Sequence, residues 1–147
     1  MADDRLNRPA AEGGDHRDGD GLVVRASSLD VAHVVDRLTD GLRSRDNTLF
    51  ALIDHAANAR EVGEELGDEV LLVFGNARVG TGLMQDDPRV GLELPLRMLV
   101  WADPAGTRIA FHDPRSLSDE FAVEKHSAVL TKMHELLEAL ADEAAGQ

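Results

Sequence analysis

The residues best able to do chemistry stand in three short stretches: Asp54-His55, Asn76 followed by Thr81, and Arg97. An imidazole next to a carboxylate has the components of a general base, with His55 taking the proton and Asp54 orienting the ring. Asn76 and Thr81 carry uncharged hydrogen-bonding groups that can orient a ligand, and Arg97 can hold an anionic or carbonyl group. Each also has a purely structural use. Asp54 can cap the helix that follows it. His55 can be a buried, hydrogen-bonded histidine. Gly75-Asn76 can be a turn, with or without exposed amides forming an anion nest. Arg97 can be solvated on a sheet face, or paired with Glu93 or Asp54.

Other chemistries lack their residues. The chain has no Cys, which removes disulfides, thiolate zinc sites and cysteine nucleophiles. No Gly-x-Ser-x-Gly elbow, His-Glu-x-x-His helix, P-loop or dinucleotide fingerprint is present. His55, His112 and a carboxylate come nearest to a metal set, but no two histidines stand at i, i+2 or i, i+4, and His126 and His134 lie eight residues apart. We expect no metal and no cofactor.

These residues must be positioned by a mixed set of elements. Leu22–Arg25 reads as a short strand. Ser27 and Ser28 offer helix caps, with Asp30 completing a capping box, and Val31, Val34, Val35, Leu38 and Leu42 then recur at helical spacing, predicting a helix over about 29–44. Thr48–Ile53 is apolar at nearly every position, as in a strand buried on both faces or at a subunit contact. A short helix over 56–66 and a second apolar strand, Glu69–Phe74, follow. The stretch 77–92 is broken by Gly80, Gly82, Pro88 and Gly91 and reads as loop around Leu83-Met84. Leu94–Ala102 and Thr107–His112 form a hairpin about Asp103-Pro104-Ala105-Gly106. A final helix aligns Val129, Leu130, Met133, Leu136, Leu137, Leu140 and Ala144 on one stripe. Strands in a run between two main helices predict a two-layer α+β domain, a mostly antiparallel sheet with helices on one face.

At 147 residues the chain suits one domain, and such a domain buries roughly 68–70% of its unfolded surface. Residues 1–20 hold six acids, three Arg and little apolar content, which predicts a disordered acidic tail before a domain over 21–147. Of the net charge of −13, −10 therefore stays with the domain. That balance opposes binding to nucleic acid or anionic membrane. No apolar run exceeds five residues, so no membrane span is expected, and a cytoplasmic location follows. The Leu49–Ile53 run would serve a homodimer by covering an exposed sheet surface.

Four motifs in order carry a family resemblance: Ile53-Asp54-His55-Ala56-Ala57, Phe74-Gly75-Asn76, Gly80-Thr81 with Leu83-Met84, and Leu94-Pro95-Leu96 with Val100-Trp101. Over about residues 22–115 the chain resembles domain-of-unknown-function family 302. The resemblance implies a TATA-box-binding-protein-like α+β arrangement and a homodimer, and implies no activity. Ala77, Gly82 and Glu93 stand where the family commonly shows Pro, Pro and Asp, implying a more flexible loop. Three functional readings stay open. One is a small-molecule-binding or sensing domain with a pocket of Asp54, His55, Asn76, Thr81 and Arg97. Another is an enzyme with His55 as base and Asp54 orienting it. The last is a structural or protein-interaction module.

Overall fold

A computed structural model describes residues 21–146 and the backbone of His16–Arg17. The expected tail falls almost wholly outside the described residues; within it, β1 (His16–Arg17) pairs antiparallel with Val23-Val24. The remaining strands are β2 (Leu22–Ser27), β3 (Thr48–Asp54), β4 (Glu69–Gly75), β5 (Leu96–Asp103) and β6 (Gly106–His112). They form one sheet in the order β1-β2-β6-β5-β4-β3, and every neighbouring pair is antiparallel.

Two long helices cover one face of this sheet, as the hydrophobic periodicity predicts. Helix α1 (Val31–Arg43) contributes Val34, Leu38 and Leu42, and the carboxyl half of α5 (Ser127–Ala144) contributes Leu137, Leu140 and Ala144. They meet alternate residues of the strands: Leu72 and Phe74 of β4, Met98 and Val100 of β5, Ile109 and Phe111 of β6. The chain is thus a two-layer α+β sandwich. The helices touch at Gly41, where a Cβ would lie 2.9 Å from the Leu140 side chain. Arg45 bonds Glu143 beside this contact. Arg25 of β2 reaches Glu138 and Asp142, tying the sheet to α5.

Four local expectations change. The cap of α1 is Asp30, whose carboxylate accepts from the His33 amide at 2.8 Å. Ser27 is instead used on the far end of α5, donating to the Ala145 carbonyl at 3.1 Å. The β3 strand is not buried on both faces: it is the sheet's edge, with Phe50 and Leu52 about half exposed (50% and 46%) and a bulge between Leu49 and Ala51. Most consequential, 77–92 is not loop. It forms α3 (Ala77–Asp86), then a 3-10 turn (Pro88–Leu92), because Asn76 caps the first helical amides and outweighs two interior glycines. The short helix near 56–66 is α2 (His55–Glu61), and a further four-residue helix, α4 (Leu117–Glu120), precedes α5.

These extra elements create a second core. Leu83 of α3, Val90, Val123, and Leu130 with Met133 of α5 bury one another beyond the end of the sheet. Asp87 locks its backbone. Its carboxylate accepts from the Arg89 guanidinium at 2.8 and 3.0 Å and from the Ala122 amide at 3.0 Å. The Arg89 guanidinium first, and the Ala122 amide after it, hold this carboxyl well below the usual carboxylate range.

Two stability predictions follow from this packing. Gly41→Val should lower stability by about 1–3 kcal/mol through overpacking against buried Leu140, read by urea denaturation. Asp87 stays ionised in the fold at a pH where the unfolded chain, with an Asp pKa of about 3.9, takes up a proton. Its contribution is therefore complete above that value and lost as pH falls through the lowered folded value. Asp87→Asn should be less stable than wild type at neutral pH, with the gap narrowing at about pH 3.

Candidate functional site

The two ends of β4 set the positions of the predicted site residues. Thr48 pairs with Gly75 at one end of the β3–β4 hairpin, and Asp54 pairs with Val70 at the other. Five residue steps along β4, about 17 Å, separate them. Asp54-His55 and Asn76 with Thr81 therefore lie at opposite ends of the sheet. Arg97 pairs with Val73, whose side chain points away from the helix layer, so Arg97 lies on the other sheet face.

Each end has a local cause. At the first, β3 ends where Asp54 turns into α2, and its carboxylate accepts from the Ala57 amide at 2.9 Å. Asp54 also borders a small groove with Val35, Asp68 and Glu69. His55, the first residue of α2, is half-buried and lines neither that groove nor the two larger cavities. Arg97 is half exposed and stands 3.9 Å from Glu93, in a cavity of about 660 Å³ shared with His112, Asp113 and Asp119. The five residues do not share one pocket.

Asn76 and Thr81 do share one. A cavity of about 530 Å³ opens at the end of the sheet where α3 begins. Its walls come from the fringes of both cores (Leu94, Leu96, Met133 and Leu136) and from the partly exposed side chains of Phe50 and Met84. Three of the four motifs behind the family resemblance converge here, since Gly75-Asn76, Gly80-Thr81 with Met84, and Leu94-Pro95 all line it. The Leu94–Pro95 peptide is cis. The Asn76 Oδ1 accepts from the Arg78 amide at 3.0 Å and the Val79 amide at 3.3 Å, and the Thr81 hydroxyl donates to the Ala77 carbonyl at 2.6 Å. Their first task is holding α3. The Asn76 amide group and the second lone pair of the Thr81 oxygen are left over from these bonds. Gly80 faces the cavity, and a Cβ there would make ordinary contacts with Leu94 and Met84 at 3.8 and 3.9 Å.

The arrangement is a concave apolar site with a few polar groups at its rim, suited to holding a small molecule. Lys132 of α5, exposed to solvent, is the one charged residue among its lining residues. Sequence reading missed Lys132, and only the helical register of α5 beside Val129, Met133 and Leu136 could have signalled it. Sequence reading also missed a hydrogen-bonded Asp–His tie between the end of α3 and the turn just before α5: Asp86 accepts from His126 and lies 3.3 Å from Lys125. Burial pushes the Asp86 carboxyl up, but the hydrogen bonds from Lys125 and His126 outweigh it and hold the group below its ordinary value. A buried cation within a strand exists too, at Arg108, 3.4 Å from Asp103, rather than at Arg97. Among the described residues no group of three or more His, Asp or Glu could hold a metal.

Known proteins match most of this chain. The curated relatives include the fluoride-specific ion channel FluC 1 of Brucella suis biovar 1, 36% identical over 113 residues that make up 76% of this chain and 44% of that protein. Another, FluC 1 of Brucella abortus biovar 1, is also 36% identical over 113 residues, 42% of its length. The chain thus spans less than half of these relatives. Among solved structures, an uncharacterized conserved DUF302 protein from Bacillus stearothermophilus has the same fold, with a TM-score of 0.76 at 17% identity, over 84% of this chain and 98% of that one. The family described as Domain of unknown function DUF302 matches residues 23–140, which take in the sheet from Val23 onward, most of the helix layer and the residues lining the cavity, and the chain is a member of that family.

Proposed function

We propose that this domain binds or senses a small molecule in the cavity between α3, α5 and the end of the sheet, working in the cytoplasm as a homodimer. The observation that carries the reading is the cavity itself: about 530 Å³, walled by apolar side chains, with Asn76 and Thr81 at its edge. That volume lies in the ordinary range for ligand sites. A binding role is favoured over catalysis because the Asp54 carboxylate is engaged with the Ala57 amide and His55 lines none of the three cavities described above.

The named relatives are ion channels, but conduction is not carried over to this chain. A channel needs elements that span a bilayer, and no described helix is long and apolar enough to cross one. A ligand-responsive module that stands beside other domains fits a stretch shared with less than half of a larger protein.

The homodimer is proposed through β3. Among the described residues this strand pairs only with β4, and past its bulge it keeps regular register from Ala51 to Asp54. It has no Lys or Pro to guard its outer edge, and it exposes Phe50 and Leu52. A second copy adding its own β3 would satisfy that edge.

A thermal-shift screen of metabolites tests the binding reading. A true ligand, held at about a hundred times its Kd, should raise the Tm of wild type by about 5–10 °C. It should leave Gly80→Leu, whose side chain enters the cavity, unshifted. Equal shifts in both proteins, or none across a broad library, would sink the reading. For the dimer, sedimentation should give a two-chain mass for wild type and a monomer for Leu52→Lys; a monomeric wild type rejects it.

A further inference from the structure

The charge at the cavity narrows the class of ligand beyond the function proposed above, on which this inference rests. The chain carries 28 acids against 15 Lys and Arg, so a surface position is nearly twice as often acidic as basic. Yet no Asp or Glu lines this cavity, and its single charged residue is Lys132. Several cations elsewhere in the fold, though not all, are taken up by acids. Arg25 meets Glu138 and Asp142, Arg45 meets Glu143, Arg89 meets Asp87, and Lys125 meets Asp86. Lys132 has no ion pair among the described residues. Its neighbours along α5 that line the cavity are Val129, Met133 and Leu136; Glu135, three residues on, is exposed, lies outside the cavity lining and makes no ion pair with Lys132.

The interior has a different chemistry. Phe50, Met84, Leu94, Leu96, Met133 and Leu136 offer apolar surface, two of them as flexible thioethers that adapt to an irregular occupant. An occupant matched to both parts has an apolar body and one anionic end. A dianion or polyphosphate would meet only one cation in a strongly acidic protein, and a cation would meet Lys132 itself.

We propose that the cavity binds a monoanionic amphiphile, its carboxylate or equivalent acid group at the Lys132 ammonium and its apolar body between α3, α5 and Leu94–Leu96. The Asn76 amide is placed to add a hydrogen bond to the same head group. Lys132 is here a ligand-binding residue with no part in the fold, being exposed and outside both cores.

Isothermal titration of the full chain with decanoate, decanol and decylammonium tests this. Decanoate should bind wild type about five- to tenfold more tightly than decanol, with decylammonium weaker than both. Lys132→Gln should bring decanoate down to the decanol level while leaving decanol unchanged, and Gly80→Leu should remove binding of both. Raising the salt concentration should weaken decanoate and spare decanol. If decanol binds wild type as well as decanoate does, and Lys132→Gln changes neither, the anion preference is overturned while the cavity remains a binding site. If none of the three binds wild type, the amphiphile proposal is overturned, and the metabolite screen then decides the binding reading separately. Binding that survives intact in Gly80→Leu places the amphiphile elsewhere and overturns the assignment to this cavity.

Discussion

The fold depends on how closely two helices can lie on one sheet. The strands of β4, β5 and β6 present Leu72, Phe74, Met98, Val100, Ile109 and Phe111 on a single face, and neither α1 nor α5 alone is wide enough to cover it. Both must sit side by side, and Gly41 is what permits it. A Cβ at this position would stand 2.9 Å from Leu140, closer than packed carbon atoms approach. A glycine inside a helix costs about 1 kcal/mol relative to alanine. That local loss is offset by a helix pair tight enough to keep water from the sheet. The Arg45–Glu143 pair decorates the same seam, but ion pairs open to solvent contribute little. Packing sets the geometry and the charges follow it.

Once α5 is placed by Gly41, its length has consequences. At 18 residues it runs about 27 Å, and only its carboxyl half, Leu137 to Ala144, is used against the sheet and α1. The amino half carries Leu130 and Met133 beyond the sheet's end, where bare apolar surface would be costly. Helix α3, the 3-10 turn at Pro88–Leu92 and the loop through Val123 supply the partner surface as a second core. Two cores joined by one straight helix need not meet without a gap. The cavity lies at their join, and Leu96, which packs on both clusters, is part of its wall.

How much of this could be read from the residues follows from the range of the forces involved. The layer architecture was legible because it rests on short-range periodicity. Val31, Val34, Leu38 and Leu42 mark α1, and the Asp103–Gly106 turn marks the hairpin of β5 and β6. The reading failed at 77–92, where Gly80 and Gly82 suggested loop and a single side chain, Asn76, was enough to start a helix by capping two amides. At Leu49–Ile53 the reading of a strand buried on both faces fell, while that of a subunit contact did not. An apolar run reads the same whether a strand is central or at an edge, and only the order of strands in the sheet separates these cases. The candidate site was half legible. Asn76 and Thr81 do border one cavity, but Asp54 and His55 sit at the other end of β4 and Arg97 on the other face. Adjacency in a motif list carries no information on which end of a strand each motif occupies.

The glycines of the two helices then separate structural need from something else. Gly41 is required by contact, because the partner helix occupies the space a side chain would take. Gly80 is not: a Cβ there would meet Leu94 and Met84 only at ordinary distances, so alanine would fit and would favour the helix by up to about 1 kcal/mol. Packing therefore gives no reason for glycine at this position. What glycine does at Gly80 is leave the cavity wall flat, and any longer side chain would fill the space instead. Gly41 belongs to the fold, and Gly80 belongs to the cavity.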